Sequence, residues 1–227
     1  PFFLQVSFDG PYMDPPTNMG PARNRHYAYY EHRTLSSFPG EAVSKNYIEQ
    51  LVSFAKSNED GAFLNRIIKM VIGNMVGDQA TRANMASQNT LVDDNVGRLL
   101  NALDQRGLDD NTIVIYSADQ GTYYGQQGLW THTVLSQPST LQETALHIPL
   151  IVHMPGNSKG KVIDELVGQY DIPVTILELA GVDQELKGSP GKSFTSMLGA
   201  ADFNKIHDAI FYEQTETRAI RTQRYAY

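Results

Sequence analysis

The sequence predicts an α/β fold: a doubly wound, mainly parallel sheet followed by a small antiparallel β subdomain. Two observations carry this prediction. Short apolar runs alternate with helical patterns along most of the chain, which is typical of strands joined by crossover helices. The last residues instead form short strand-like runs with no helical pattern between them, which is typical of an antiparallel sheet. We therefore assign residues 1–200 to the α/β core and residues 201–227 to the start of the β-rich subdomain.

The first predicted strand covers residues 2–8, which are rich in aromatic and branched side chains and are followed by a turn at Asp9-Gly10-Pro11. Because this run has the character of a buried strand with no lead-in, we expect the N-terminal part of the fold to be missing from this sequence. A sheet cut at that point would expose a strand edge. We therefore expect either self-association or pairing with the missing N-terminal part.

The clearest predicted helix covers residues 79–106 and is terminated by Gly107. Its apolar side chains recur at helical spacing and form one stripe: Leu91, Val92, Val96, Leu99, Leu100 and Leu103. The continuous apolar run at residues 112–116 then predicts a central parallel strand.

Further elements are predicted in the second half of the chain. Residues 148–152 form another apolar run and predict a strand, and Asp171 is placed to cap a helix that continues to Ala180. Three short runs at residues 209–212, 218–221 and 225–227 predict the antiparallel strands of the C-terminal subdomain.

Composition excludes several classes of function. The formal net charge of −7 argues against a general nucleic-acid binder, which needs a basic face to neutralise phosphates. The absence of cysteine excludes disulfides, thiolate metal sites and a cysteine nucleophile within these residues. No apolar run is as long as a membrane span.

One segment is locally basic despite the acidic total. Residues 23–33 contain five basic side chains interleaved with tyrosines: Arg23, Arg25, His26, His32 and Arg33. The segment is either a binding site for an anionic ligand or a solvated loop.

Candidate metal ligands follow the predicted central strand directly. In open α/β sheets, ligands bind beyond the carboxyl ends of the strands, and Asp119 and Gln120 lie at that position. Their carboxylate and amide oxygens are hard ligands that suit calcium or magnesium, and Gly121 lets the backbone turn sharply beside an ion. An Asx-type turn without a metal is the alternative interpretation.

A histidine follows in the next loop. His132 ends a glycine-rich stretch that begins at Gly125. A histidine near a metal can donate a proton to a leaving oxygen or hydrogen-bond to an anionic ester. The alternative is a structural loop histidine.

These segments together resemble one known family. The runs NTIVIYSADQGTYYGQQGLWTH and LQETALHIPLIVHMPG resemble the second half of the type I sulfatases of the alkaline phosphatase superfamily, in which a strand ends in Asp-His-Gly or Asp-Asn-Gly. The runs PFFLQVSFDGPYMDPP, YDIPVTILELAGV and AIRTQRYAY are similar to other parts of that family in the same order. The resemblance spans nearly the whole chain and implies an alkaline-phosphatase/sulfatase-like fold.

The resemblance also implies a site and a reaction. Asp119 and Gln120 match two calcium ligands, with magnesium less favoured, and Gln120 replaces the usual asparagine or histidine. His132 matches the lysine or histidine that contacts the sulfate or protonates the leaving alcohol. Tyr12 stands where the family commonly has a sulfate-contacting histidine. The implied ligand is a sulfated small molecule or carbohydrate, and the implied location is periplasmic or extracellular.

The family's nucleophile has no counterpart in this sequence. That nucleophile is a formylglycine made from the first residue of a C/S-x-P-x-R motif, and its aldehyde hydrate attacks sulfur. Ser136 begins a similar run, which ends in Thr140 instead of arginine. We therefore expect these residues alone to be inactive. Two alternatives remain: a phosphate- or phosphonate-ester hydrolase of the same superfamily, and a non-catalytic glycan-binding protein derived from a sulfatase.

Overall fold

The computed structural model describes most of the chain in two compact units. The described residues are 2–8, 10–11, 24–39, 41, 44–57, 61–62, 78–131, 140–157, 159–182, 186–199, 203–214 and 216–227. The first unit comprises Pro1–Leu108 and Gly121–Thr140, and the second comprises Asp109–Gln120 and Leu141–Tyr227. The predicted boundary near residue 200 stays a prediction.

The first unit is mainly helical. It contains the helices α1 (Tyr27–Tyr30), α2 (Lys45–Ser57) and α3 (Gln79–Asp104). The helix α3 confirms the helix predicted at residues 79–106. Its N-cap Asp78 accepts a hydrogen bond from the backbone N–H of Thr81, and Gly107 follows its end with a φ of +60°.

The apolar stripe of α3 is not buried along its length. The buried residues lie in its first half: Thr81, Ala83, Asn84, Met85 and Ser87. Further along the helix, Leu99 and Leu100 are 38% and 45% exposed. Among the described residues, α3 therefore packs through its N-terminal half, where α1 contacts it through a hydrogen bond of 2.7 Å between Tyr30 Oη and Thr90 Oγ1.

A small hairpin completes the core of the first unit. The strands β2 (Tyr123–Tyr124) and β3 (Trp130–Thr131) pair antiparallel, and a 3₁₀ turn at Gln126–Gly128 lies between them. Trp130 is 1% exposed, and its backbone carbonyl accepts a hydrogen bond from the Tyr47 hydroxyl. The Tyr47 hydroxyl therefore connects α2 to the backbone of this hairpin.

The second unit contains the strand that precedes the candidate metal ligands. That strand is β1 (Val114–Ser117), and it pairs with β4 (Leu150–His153). Both strands lie close to their predicted positions, but their pairing is antiparallel. Every strand pair among the described residues is antiparallel, so the parallel part of the predicted sheet is not represented there. Apolar character predicts that a segment is a strand, but the direction of its partner depends on the tertiary path of the chain.

The described residues of the second unit form three further helices and a hairpin. They are α4 (Glu143–Leu146), α5 (Asp171–Leu179), α6 (Thr195–Gly199) and the antiparallel hairpin of β5 (Ala209–Gln214) with β6 (Thr217–Thr222). The helix α5 and the hairpin agree with the sequence prediction, whereas the short helices α4 and α6 have no predicted counterpart. A bridge between Arg221 and Ala226 adds the last residues to this hairpin. The predicted antiparallel C-terminal strands are therefore confirmed.

The prediction of a strand at residues 2–8 is wrong. These residues have no regular secondary structure, and Phe3 and Leu4 are 74% and 66% exposed. A strand is stabilised by pairing its backbone N–H and C=O groups with a neighbour, and no described strand pairs with this segment.

No helix among the described residues is both long and apolar enough to span a bilayer.

Candidate functional site

The predicted metal ligands lie on an exposed loop at the end of β1. Asp119 and Gln120 follow the strand after Ala118, and both side chains are exposed. Within the described residues, no hydrogen bond or ion pair engages the Asp119 carboxylate or the Gln120 amide. Their oxygens are therefore available to a hard cation. Tyr12 and His132, the predicted substrate-contacting and catalytic residues, lie outside the described residues.

These two residues supply only part of a calcium site. Calcium takes six to eight oxygen ligands. In the part of the chain that the structure describes, no group of three or more histidine, cysteine, aspartate or glutamate side chains could hold a metal. The donor chemistry of Asp119 and Gln120 fits calcium, and the remaining ligands would have to come from elsewhere.

Gln169 holds the backbone of this metal-ligand loop, which we define as residues 118–120. Its side-chain amide Nε2 donates to the carbonyl oxygens of Ala118 at 3.1 Å and Asp119 at 3.2 Å. One step before the loop, Ser117 Oγ donates to the carbonyl oxygen of Pro149 at 2.9 Å. These bonds fix the direction in which the chain leaves β1.

Gln169 is itself positioned by a buried carboxylate two residues later. Asp171 is 0% exposed, and its Oδ2 accepts the backbone N–H of Gly168 at 2.7 Å. Its Oδ1 accepts the N–H of Lys192 at 2.7 Å, and His207 Nε2 lies 3.0 Å and 2.9 Å from the two oxygens. The predicted helix start is confirmed, but the carboxylate binds groups outside the helix instead of capping it.

This Asp171 cluster, formed by Asp171, Gly168, Lys192 and His207, joins three segments of the second unit. The Tyr170 ring contacts the edge of His207 with 5.6 Å between centroids. Burial, and after it the charge of Asp171, raises the pKa of the Tyr170 hydroxyl above its ordinary value. The segment that supports the metal-ligand loop is therefore held by buried polar contacts.

Sequence patterns alone do not predict these roles of Gln169 and Asp171. The position of Asp171 predicts only a helix cap, and Gln169 has no distinguishing spacing. A signal was present in the run YDIPVTILELAGV, since it belongs to the family resemblance. The partners of these residues are separated in sequence by up to 51 residues, so that only the folded chain reveals them.

The basic segment predicted at residues 23–33 is partly neutralised by α3. Arg25 Nη2 and His26 Nε2 each lie 2.6 Å from Asp94 Oδ2. The hydrogen bond from Arg25, and after it the one from His26, lowers the pKa of Asp94. Arg33 instead stacks on Tyr29, with its Cζ 3.8 Å from the ring centroid. Arg23 lies outside the described residues.

Comparison with known proteins decides the family. Residues 1–182 match the sequence profile of the Sulfatase family. This chain belongs to that family. This sulfatase chain is 27% identical over 186 residues to an N-acetylglucosamine-6-O-sulfatase of Bacteroides thetaiotaomicron, with 76% of this chain and 32% of the relative aligned. It is 31% identical over 130 residues to a human N-acetylglucosamine-6-sulfatase, with 57% of this chain and 23% of the relative aligned.

A solved structure shows the same fold. The phosphonate monoester hydrolase of Silicibacter pomeroyi superposes with a TM-score of 0.54 at 20% identity, and the match covers 83% of this chain and 41% of the other. The predicted sulfatase-like α/β fold class is thereby confirmed. The aligned part of this sulfatase chain spans about a third or less of the length of the two sulfatases named above.

Proposed function

We propose that the intact protein containing this chain hydrolyses sulfate esters. The observation that carries the proposal is the family match over residues 1–182, because its aligned relatives are named sulfatases. Fold similarity alone would not support it, since the structural neighbour at 20% identity is a phosphonate monoester hydrolase.

The proposed cofactor is calcium, held in part by Asp119 and Gln120. Their exposed oxygens lie on a loop whose backbone is fixed by Gln169. When bound, calcium would neutralise negative charge on the sulfate. The protein's part is to hold the backbone from which these side chains extend, and Gln169 does so through its hydrogen bonds to the carbonyl oxygens of Ala118 and Asp119.

The remaining roles are proposed by family resemblance. His132 would donate a proton to the leaving alcohol oxygen or contact the sulfate, and Tyr12 would donate a hydrogen bond to a sulfate oxygen. The nucleophile would be a formylglycine supplied by residues outside this sequence, which contains no cysteine and no C/S-x-P-x-R motif. We therefore predict that the 227 residues alone turn over no substrate.

The proposed substrate class is a sulfated amino sugar. Both relatives described above are named for N-acetylglucosamine carrying a 6-sulfate. N-acetylglucosamine 6-sulfate is therefore the first natural compound to test, with the unsulfated sugar as the product to detect.

The experiment measures hydrolysis of an aryl sulfate and the matching aryl phosphate by the intact protein, with and without calcium. We expect calcium-dependent turnover of the sulfate in preference to the phosphate. Asp119→Asn removes a charged ligand and should lower the calcium affinity. The matched control is Asp110→Asn, an exposed aspartate in the 3₁₀ turn before β1.

The result can also overturn the proposal. Preferred turnover of the phosphate would favour the phosphate- or phosphonate-ester hydrolase. Calcium binding with no turnover of either ester would favour a non-catalytic glycan-binding protein. Equal effects of Asp119→Asn and Asp110→Asn would remove Asp119 from the metal site.

A further inference from the structure

A cavity of about 420 Å³ in the first unit is built from residues that the proposed reaction does not use. Residues 31–36, Phe38, Gln79 and Arg82 line it. Two arginines, Arg33 and Arg82, face it together with His32, and Glu31 is its one acidic residue. Glu31 Oε1 lies 3.6 Å from His32 Nε2, so the acid already has a basic neighbour. The two arginines therefore give this cavity an excess of positive charge.

Arg82 contributes a positive charge that no carboxylate among the described residues neutralises. Its Nη2 donates to the carbonyl oxygen of Pro39 at 3.3 Å, whereas its Nε is buried without a hydrogen-bond partner among the described residues. The guanidinium Cζ lies 5.9 Å from the centroid of the Trp130 ring, and the buried Trp130 Nε1 likewise has no partner there. Because this Nε is buried, Arg82 acts on the cavity through the positive charge of its guanidinium.

Arg33 lines the same cavity and is preorganised by an aromatic neighbour. Its guanidinium stacks on the face of Tyr29, which restrains the side chain and leaves the N–H groups on its edge available. Arg33 is exposed, and no carboxylate among the described residues pairs with it. An arginine held in this way presents a donor fork that matches the oxygens of an anion.

The backbone beside the cavity is arranged so that it does not repel an anion. Gln79 Nε2 donates to the carbonyl oxygens of Tyr30 at 3.3 Å, Glu31 at 3.5 Å and Arg33 at 2.8 Å. These oxygens are the negative ends of the peptide groups that follow α1. Since the Gln79 amide occupies them, the arginines provide the main charge in the cavity.

We propose that this cavity binds the sulfate group of a sulfated carbohydrate and is a second sulfate-recognition site of the protein. The three non-bridging oxygens of a sulfate ester can accept from the Arg33 fork, and Arg82 adds positive charge to the lining of the same cavity. A sulfate ester keeps its negative charge at physiological pH. The carbohydrate as the carrier of the sulfate rests on the proposed function. The anion site itself rests only on the contacts described above.

The chain contains a built-in reporter for this site. Trp130 is the only tryptophan of the sequence, and its ring centroid lies 5.9 Å from Arg82 Cζ. Binding of an anion beside Arg82 should therefore change the tryptophan fluorescence and shift the indole N–H resonance. The titrants are inorganic sulfate, N-acetylglucosamine 6-sulfate and unsulfated N-acetylglucosamine, at constant ionic strength.

The variant Arg33→Gln tests the site without disturbing the core, because Arg33 is exposed and Arg82 is not altered. The matched control is Arg98→Gln, an exposed arginine of α3 that does not line the cavity. We expect Arg33→Gln to weaken binding of the sulfated sugar about tenfold, as loss of a charge-assisted hydrogen bond does. Arg98→Gln should leave binding within about twofold.

Three results would overturn the proposal. Absence of a saturable change at Trp130 would exclude an anion site in this cavity. If Arg33→Gln and Arg98→Gln weakened binding of the sulfated sugar equally, the effect would come from the change in net charge and not from a site at Arg33. Binding of inorganic sulfate as tight as that of the sulfated sugar would exclude carbohydrate recognition. Lack of turnover by the intact protein would refute the proposed reaction, whereas anion binding that depends on Arg33 would still support an anion site in the cavity.

Discussion

The Asp171 cluster permits the sharpest test of how the candidate site is held. The perturbation is Asp171→Ala, which removes both oxygens of a carboxylate that is 0% exposed. The backbone N–H groups of Gly168 and Lys192 and the Nε2 of His207 then lose their common acceptor. Alanine cannot replace that acceptor, and water has little access to a fully buried position.

The expected magnitude follows from these contacts. A buried donor that is left without an acceptor costs about 1–3 kcal/mol, and three donors share the Asp171 carboxylate. These contributions overlap because they share one carboxylate. We therefore expect Asp171→Ala to lower the free energy of unfolding by about 3–5 kcal/mol. Asp171→Asn keeps one accepting oxygen and should cost about 1–3 kcal/mol.

The assay is urea unfolding followed by far-UV circular dichroism at constant pH, with the loss read from the transition midpoint and slope. The matched control is Glu178→Ala, an exposed acid of the same helix α5, which should change stability by less than about 0.5 kcal/mol. A loss below about 1 kcal/mol for Asp171→Ala would refute the reasoning, since it would mean that water or another group satisfies these donors.

Three further predictions concern single positions. Gly125 has a φ of +106°, and an added Cβ would lie 3.1 Å from Trp130 Cζ2, so Gly125→Ala should lower the thermal midpoint of unfolding by several degrees. Arg25→Gln should raise the pKa of Asp94 towards its ordinary value in an NMR titration, because Arg25 is the main cause of its depression. With the pKa depressed, the contact stabilises the fold above the unfolded-state pKa, and this contribution is lost as pH falls through the folded-state pKa. Gln169→Leu should weaken calcium binding by the intact protein about tenfold in isothermal titration calorimetry, as loss of other groups that orient ligands does.

Each of these three has a contrary outcome and a control. Gly97→Ala in α3 meets no atom within 4 Å and should be neutral or stabilising, so equal losses at Gly97 and Gly125 would contradict the close approach. An unchanged Asp94 pKa in Arg25→Gln would leave His26 as its cause. If Gln169→Leu bound calcium as tightly as the wild type, the metal-ligand loop would keep its conformation without the hydrogen bonds from Gln169.

The local elements were predictable because local patterns determine them. The helix α3 is specified by its own residues, with an aspartate cap at its start and a glycine after its end. The strands of the C-terminal hairpin follow from alternating side chains over a short distance. Residues 2–8 have an equally strong strand pattern, yet they form no strand in the described structure. A strand forms only when a neighbouring strand accepts its backbone hydrogen bonds, and the side-chain pattern of one segment does not show whether such a neighbour is present.

The sequence by itself determined the family, the positions of the main helix and of the strands β1 and β4, and the identity of Asp119 and Gln120 as candidate ligands. Only the tertiary structure decided that β1 and β4 run antiparallel, that Gln169 fixes the metal-ligand loop, and that Asp171 serves His207 and Lys192 instead of its own helix. The physical reason is the range of the interactions. Caps, turns and apolar periodicity act over a few residues, whereas strand direction and buried polar pairing join groups that meet only when distant segments pack.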